Sequence, residues 1–141
     1  MPKVIRVKAG KNLKNSVQQA VAGLGGFKKF VKTGDVVLIK PNFNTADPFP
    51  ASSDPEFIKA VVQLVFEAGA KSVIVGDSST YYTNTRKIMK KAKLFDLQKM
   101  EPSPKIFVFE ERKWVKKEIP NPKFIKRVFV PEVLDEADKL I

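Results

Sequence analysis

A short apolar run that ends at a lysine and a proline constrains the fold of this chain more than any other feature. The run is Val36-Val37-Leu38-Ile39, and the residues that end it are Lys40 and Pro41. Consecutive apolar residues without alternation are typical of a strand that is buried on both faces. Proline cannot donate a hydrogen bond within a central strand, so it ends the run. The pattern therefore predicts an interior strand of a parallel sheet.

A well-marked helix and a second apolar run follow this strand. Asp54 stands at the N-cap position, Pro55 at the first helical position and Gly69 at the C-terminal stop. The second run, Val73-Ile74-Val75, lies within Lys71–Gly76. Strand, helix and strand with short connections form a βαβ unit with a right-handed crossover and parallel strands. We therefore predict an α/β fold of the Rossmann-like, three-layer type with a mostly parallel sheet.

The rest of the chain predicts one domain over residues 1–141. The predicted elements are a first strand at Lys3–Lys8, a helix within Asn12–Phe30, a basic helix at Thr85–Ala92 with Phe95–Met100 as its extension, a strand at Lys105–Glu110, an antiparallel hairpin of Trp114–Ile119 and Phe124–Val130, a short helix at Pro131–Ala137 and the opening of another strand at Asp138–Ile141. The Gly23-Leu24-Gly25-Gly26 segment is not a dinucleotide fingerprint, because that motif directly follows a strand and opens a helix. Here it predicts a helix break or a close-packing position.

The chain contains no cysteine and no histidine. Without cysteine it has no disulfide, no thiol nucleophile and no ligands for an iron–sulfur cluster. Without histidine it lacks the usual general base, the Ser-His-Asp triad and the histidine metal sites. Chemistry in this chain would therefore use Asp, Glu, Lys, Tyr, Ser or Thr, or a divalent metal held by oxygen ligands.

The first of two polar loops follows the strand at Val36–Ile39. Ligands of open parallel sheets bind outside the carboxyl ends of the strands, which is where this loop begins. Lys40 would bring a cation to a carboxylate or phosphate, and Asn42 and Asn44 offer both donors and acceptors. The alternative interpretation is that the Asn and Pro residues here only form turns.

The second polar loop follows the strand that contains Val73–Val75. Gly76 permits close approach of the backbone, and Asp77 could hold a hydroxyl group, a divalent metal or a proton in transit. Ser78, Ser79 and Thr80 precede a predicted helix and could line a phosphate site. The alternative interpretation is an aspartate that caps a turn, followed by solvated hydroxyls.

The prediction of one shared site depends on Ile39 and Val75 ending neighbouring parallel strands. That arrangement would bring the side chains of Asn42 and Asp77 to a common hollow. In this predicted site, Asp77 is the acid/base or metal ligand and Lys40 is the electrostatic anchor. Ser78, Ser79 and Thr80 are then the donors to a phosphate or carboxylate.

The formal net charge is +11, from 26 basic and 15 acidic residues. Such a field attracts nucleotides, phosphorylated metabolites, nucleic acid or anionic lipid. A lysine-rich surface of the thermophile type is the alternative. Trp114, Phe107, Phe109 and Phe124 lie among basic residues and could stack the bases of a single strand, although alternating Phe in a strand is more typical of a core.

Several short motifs together resemble a known family. They are Gly25-Gly26, Thr33-Gly34-Asp35, Val36–Asn42, Asp54-Pro55-Glu56, Glu67-Ala68-Gly69-Ala70-Lys71 and Val75-Gly76-Asp77-Ser78. Their order and spacing are similar to those of the domain-of-unknown-function 362 family. The resemblance implies an α/β domain of unestablished biochemistry, in a family that includes fusions to ferredoxin-like iron–sulfur modules. By position, the family motifs fall on Lys40-Pro41-Asn42 in the first loop and on Gly76-Asp77-Ser78 in the second.

Departures from the family pattern bear on the site. Thr33 stands where the family usually has Pro, and Ser53-Asp54 replaces the usual Thr-His, which removes a candidate ligand. The family also continues past the equivalent of Leu140-Ile141 into a Pro-Lys-x-Lys-Thr-His segment. The resemblance therefore implies a domain that is shorter at its C-terminus than the family's, and an incomplete site if that segment completes it.

Together, these observations predict a domain that binds a small anionic ligand bearing phosphate or carboxylate, with or without a divalent metal. Two alternatives stay open, a basic nucleic-acid-binding module and a subunit that docks onto an acidic iron–sulfur partner. No apolar run approaches the roughly 20 residues needed to span a bilayer. We therefore expect no membrane partner and a cytoplasmic protein, and an exposed sheet edge at the C-terminus would favour a homodimer.

Overall fold

The computed structural model describes residues 2–141, in which six strands, four α-helices and three 3₁₀ helices form. The strands are β1 (Val36–Ile39), β2 (Ser72–Asp77), β3 (Lys105–Val108), β4 (Trp114–Glu118), β5 (Arg127–Pro131) and β6 (Lys139–Leu140). The α-helices are α1 (Leu13–Ala22), α2 (Pro55–Glu67), α3 (Thr85–Lys91) and α4 (Val133–Glu136). The 3₁₀ helices are Phe27–Lys29, Leu94–Lys99 and Phe109–Glu111.

Four strands form one parallel sheet in the order β3-β2-β1-β6. β1 pairs with β2 so that Val36 lies opposite Ser72 and Ile39 lies opposite Val75. Since α2 connects these two strands, the predicted βαβ unit is confirmed. β6 pairs with the other side of β1, which confirms the strand predicted within Asp138–Ile141. The chain is thus an α/β fold whose parallel sheet is flanked by helices.

The ends of α2 follow the local rules that predicted them. The Asp54 carboxylate accepts a hydrogen bond from the Glu56 backbone N–H at 2.9 Å, and Pro55 opens the helix. Gly69 follows the last turn with φ +110°, a conformation that glycine adopts at little cost. A Cβ at Gly69 would also lie 2.9 Å from Thr33 Oγ1. The helix therefore ends where β2 must begin.

The core lies on both faces of the sheet and is larger on the α2 and α3 side. Side chains alternate along a strand, so Val37 and Ile39 of β1 face one side and Leu38 faces the other. Six residues of α2 are buried, and four of them, namely Ile58, Val61, Val62 and Val65, pack in the core on the larger side. Full burial of a Val, Leu or Ile side chain contributes roughly 1.5–3 kcal/mol, so this packing fixes α2 on the sheet. On the other side, Leu38 and Ile74 pack with Phe109 and Val133.

β4 and β5 form a separate antiparallel hairpin, as predicted near the C-terminus. Their register sets Lys116 opposite Phe129 and Glu118 opposite Arg127. One more backbone hydrogen bond, from Ile119 N to Lys126 O at 2.9 Å, closes the pairing beside the loop. The hairpin thus has its own two-stranded sheet and does not extend the parallel one.

Three predicted elements differ from the structure. The strand predicted at Lys3–Lys8 is wrong, because the segment has no partner strand. Ile5 packs instead against Gly23, where a Cβ on the glycine would lie only 2.8 Å from the Ile5 side chain. The helix predicted within Asn12–Phe30 ends at Ala22, and Gly25 and Gly26 have positive φ, so the glycine segment is a helix break.

The predicted extension of the basic helix is a 3₁₀ helix rather than a continuation of α3. Lys93 lies between the two with φ 58° and breaks the α-helical backbone. The segment that follows still buries Leu94 and Leu97 in the larger core. No helix within residues 2–141 has the length and apolar character to cross a bilayer.

Candidate functional site

The ends of β1 and β2 lie side by side, which fixes the edge at which the polar loops meet. Ile39 is the Cα partner of Val75, so the expectation that these two residues end neighbouring parallel strands is confirmed. The first loop continues from Lys40 and the second from Ser78. Both loops therefore leave the sheet at its carboxyl edge, where ligands of open parallel sheets bind.

Asp77 connects the two loops. Its side chain is fully buried, and it ends β2. Oδ1 accepts hydrogen bonds from Lys40 Nζ at 2.6 Å and from Ser78 N at 2.9 Å, while Oδ2 accepts one from Phe43 N at 2.7 Å. A buried carboxylate needs such donors, because an unpaired one would be strongly disfavoured. Both of its oxygens are thus engaged by the protein itself.

Lys40 is the cation at this edge. Its side chain is 48% exposed, so the ammonium lies between the buried Asp77 and solvent. Nζ also donates to Pro41 O at 3.1 Å. An ammonium group has three protons, and among residues 2–141 only these two acceptors are within hydrogen-bonding distance of it. One donor of Lys40 is therefore free for a ligand.

Asn42 and Asn44 turn their side chains to solvent while their backbones fix the loops. Asn42 N donates to Ser53 Oγ at 2.9 Å, and Asn42 O accepts from Ser53 N at 3.0 Å. Asn44 O accepts from Thr80 N at 3.4 Å and from Thr80 Oγ1 at 3.3 Å. Both residues are exposed, and their side-chain amides can donate or accept.

The second loop forms a hydroxyl cluster, made of Ser78, Ser79, Thr80, Thr83 and Thr85. Ser78 and Thr85 both donate to the same oxygen, Oε1, of Glu110. Because the Thr85 proton goes to this carboxylate, Ser79 must donate in the Ser79–Thr85 pair, which spans 2.7 Å. Thr83 in turn donates to Ser79 at 2.8 Å. The hydroxyl protons of Ser78, Ser79 and Thr85 are therefore directed toward Glu110, whereas Thr80 donates to Asn44 O.

Sequence reasoning missed Glu110 and Thr85. Glu110 follows the third parallel strand, β3, and so lies at the same carboxyl edge as the two loops. The rule that selected the first two loops would also have selected this one. Thr85 is fully buried at the start of α3, where its hydroxyl reaches both Ser79 N and Glu110.

An ion pair holds the turn that carries Glu110. Arg86 on α3 donates through Nε to Glu111 Oε1 at 2.7 Å, and a second hydrogen bond joins Nη2 to Oε2. This hydrogen bonding, together with the charge of the guanidinium, lowers the pKa of Glu111 and raises that of Arg86. The bidentate geometry fixes the Phe109–Glu111 turn against α3.

Gly76 lies next to Asp77 in β2 and is buried. A Cβ at this position would lie 2.3 Å from Cε1 of Phe109. The sequence suggested that Gly76 permits another group to approach the backbone closely, and in the structure that group is the ring of Phe109. Gly76 lets this ring pack on β2, directly beneath the turn that bears Glu110.

The strand order creates a second feature at Lys40. From β1 the chain steps to β2 and then to β3, and it returns to β6 on the opposite side of β1. Such a reversal of strand order is where α/β sheets leave a crevice for ligands. Lys40 N donates to Ile141 O at 2.8 Å across this point. Sequence reasoning could not find it, because the partner of β6 is set by tertiary structure.

Other hollows and carboxylates do not extend this site. Two open hollows of about 640 and 690 Å³ lie along α2, and both include Glu56, Lys59 and Gln63 in their walls. Within residues 2–141, no group of three or more Asp or Glu side chains is arranged to hold a metal ion. Asp77 is therefore not part of a cluster of three carboxylates that could hold a metal ion.

Comparisons with known proteins give one family and one curated relative. A family model described as "Domain of unknown function (DUF362)" matches residues 37–141. The "Thylakoid-associated protein sll1697" of Synechocystis sp. (strain ATCC 27184 / PCC 6803 / Kazusa) is 43% identical over 68 residues, which is 47% of this chain. That match spans only 21% of the relative's own length. No solved structure matches the chain significantly.

Proposed function

This chain belongs to the family of the domain of unknown function DUF362, and we propose that it binds a small anionic ligand at the carboxyl edge of its sheet. The ligand carries a phosphate or a carboxylate group. Lys40 is its anchor, and the amide groups of Asn42 and Asn44 are further donors. The site lies on the side of Lys40 that faces β6.

The observation that carries this proposal is the half-exposed ammonium of Lys40. Asp77 and Pro41 hold the ammonium in place through two of its three protons, so the third is oriented before a ligand arrives. A donor held in this way loses little side-chain freedom on binding. The net charge of +11 adds a field that brings anions to the protein.

The strand order supports the same location. The reversal between β1 and β6 lies directly at Lys40, and its crevice is the usual ligand position in open α/β sheets. The hydroxyl cluster is less suited to an anion, because Ser78 and Thr85 already donate to Glu110. A phosphate there would meet the negative charge of Glu110. In this proposal, Ser78, Ser79 and Thr80 therefore brace the second loop and do not bind the ligand themselves.

A catalytic or metal-binding role for Asp77 stays a prediction. Its carboxylate can reach a substrate or a divalent cation only if Lys40 or the backbone of Phe43 moves away. A cation that displaced Lys40 would free that ammonium for the ligand. The binding proposal itself requires no such exchange, since the third Lys40 proton is already free.

The test is an NMR titration of the ¹⁵N-labelled chain with inorganic phosphate and, separately, with succinate, at constant ionic strength. We expect amide shifts that saturate and that cluster at Lys40, Asn42, Phe43 and Asn44. The site variant is Lys40→Met combined with Asp77→Asn. It removes both members of the ion pair and so avoids leaving a buried charge without its partner.

Lys71→Met is the matched control, because Lys71 is exposed and precedes β2 at the opposite edge of the sheet. The control should keep the shifts and the double variant should lose them. Shifts that persist in a folded double variant, or that cluster elsewhere in the chain, would overturn the proposal. Comparison of the two probes then distinguishes a phosphate from a carboxylate site.

A further inference from the structure

The hairpin presents a flat face that the site at Lys40 does not use. The register sets Lys116 opposite Phe129, so both side chains lie on the same side of the hairpin. Because side chains alternate along a strand, every second residue of β4 and β5 also lies on this side. We call this side the outer ribbon face; its exposed residues are Trp114, Lys116, Glu118, Arg127 and Phe129, and the buried Pro131 lies at its end, opposite Trp114. The other side carries three partly buried valines, Val115, Val128 and Val130, together with the exposed Lys117. The outer ribbon face is therefore turned to solvent.

Aromatic rings on this face are exposed and held in position. Phe129 is 63% exposed, and Trp114 is 41% exposed. Trp114 Nε1 donates to Phe109 O at 2.9 Å, which fixes the indole while leaving part of it open. Phe124, in the loop of the hairpin, is 93% exposed. Large apolar groups that are exposed to solvent on one short hairpin mark a candidate site of interaction.

Basic residues surround these rings. Residues 112–131 contain seven basic side chains and one acidic side chain, Glu118. Some of the lysines have acidic partners, since Lys116 pairs with Glu118 and Lys117 with Asp135. Lys123, Lys126 and Arg127 form no ion pair with any residue in the 2–141 range. The surface therefore combines rings with cations that have no counter-charge.

We propose that the outer ribbon face binds single-stranded nucleic acid. Bases stack on Phe129 and Trp114, while Arg127 and the lysines of the hairpin loop meet the phosphates. Aromatic rings set within a positively charged surface are the common device for binding single strands without sequence preference. The neighbours of Phe129 suit this device, because Lys116 lies directly across from it and Arg127 lies on the same side.

Other occupants fit the face less well. A bilayer would need a continuous apolar surface, but charged side chains separate Phe129 from the loop residues Phe124 and Ile125. A second copy of the chain would bring two surfaces of the same strong positive charge together, which repel each other. A polyanion with flat apolar bases matches both the charge and the rings.

The test uses the only tryptophan of the chain, Trp114, as a local probe. Oligothymidylate and oligouridylate of about 15 nucleotides, near the upper site size of a single binding module, are titrated against the full chain. We expect quenching of Trp114 fluorescence and binding that weakens steeply between about 50 and 200 mM salt. Heparin, which has the charge but no bases, should compete without quenching Trp114.

Phe129→Ala is the main variant, and Phe30→Ala is its matched control. Phe30 is also exposed and lies beside Lys29, but outside the hairpin. Loss of the Phe129 ring should weaken oligonucleotide binding at least about fivefold, the equivalent of ~1 kcal/mol of stacking, while the control binds normally. Lys126→Gln with Arg127→Gln should weaken binding and reduce its salt dependence.

Three results would overturn the proposal. The first is oligonucleotide binding that leaves Trp114 fluorescence unchanged and is insensitive to Phe129→Ala, which would locate the nucleic acid elsewhere. The second is no binding of either oligonucleotide at low salt. The third is a blue shift of Trp114 with phosphatidylserine vesicles but no response to oligonucleotides, which would identify the face as a lipid-binding surface.

Discussion

The ammonium of Lys40 lies 2.6 Å from Oδ1 of Asp77, and this contact joins the ends of two neighbouring strands. Asp77 is fully buried, and Lys40 is half exposed. The buried Asp77 therefore organises the two loops, while the ammonium of Lys40 meets solvent. Backbone donors from Phe43 and Ser78 complete the environment of the carboxylate. The structure of this edge and the ligand binding that we propose for it depend on the same two side chains.

Replacement of Asp77 by Ala should destabilise the protein by about 2–4 kcal/mol. The change leaves the Phe43 and Ser78 N–H groups without their acceptor, and hydrogen bonds to a charged group contribute about 1.5–3 kcal/mol. Urea unfolding followed by circular dichroism measures the loss. Asp47→Ala is the control, because Asp47 is exposed and accepts only a side-chain hydrogen bond from Thr45. A midpoint for Asp77→Ala equal to that of the control would contradict the role of Asp77 as the connector of the loops.

Replacement of Gly76 by Ala should cost about 1–3 kcal/mol by overpacking. The new methyl group would lie 2.3 Å from the Phe109 ring, so the ring must move. Phe109→Leu in the same chain removes part of the ring and should recover some of the lost stability. Thermal unfolding of both single variants and the double variant gives the coupling between the two positions. Strictly additive losses would show that the two residues do not compete for this space.

The βαβ unit could be predicted because its signals are local. The apolar run at Val36–Ile39, the Asp54 cap and the Gly69 stop each depend on a few neighbouring residues, and the structure confirms them. Lys3–Lys8 has the alternation of a strand, but a strand also needs a partner, and none is available to it. Alternation alone does not distinguish a strand from an extended segment that packs through Ile5.

The candidate site could be located from the sequence but not described. The meeting of the two loops follows from parallel strands, so Lys40 and Asp77 could be named together. That they bond to each other, and that Glu110 accepts the hydroxyl protons of Ser78 and Thr85, depends on side-chain packing across distant parts of the chain. The position of β6 beside β1 has the same origin, because its signal is only two residues long.

Replacement of Glu111 by Gln should lower stability near neutral pH but not in acid. Arg86 lowers the pKa of Glu111 in the folded protein, so the pair stabilises the fold above the usual carboxyl value of 4.5. This contribution is lost as the pH falls through the folded-state pKa. Urea midpoints of the two proteins should therefore differ at pH 7 and converge as the pH falls below 4.5 and through the folded-state pKa of Glu111. Glu101→Gln, at an exposed residue, is the control. A gap that stays constant into acid would refute the ion-pair explanation.

Replacement of Asp138 by Ala should loosen β6 and its contact with Lys40 without disturbing the β1–β2 pairing. The Asp138 carboxylate accepts a hydrogen bond from Val36 N at 2.8 Å, and Asp138 N donates to Val36 O at 2.8 Å, so this residue fixes the start of β6 on β1. Removal of the side-chain bond should cost about 1–2 kcal/mol locally, because Val36 N loses a charged acceptor. Hydrogen exchange of the Lys40 and Ile141 amides should then quicken about five- to 30-fold if they open together with β6. Exchange at Val75 should change much less. Asp135→Ala is the control, because it removes only a surface partner of Lys117 and should leave all three amides unchanged. Unaltered protection of Lys40 and Ile141 in Asp138→Ala would mean that β6 is held by its backbone ladder alone, and that its contact with Lys40 does not depend on this carboxylate.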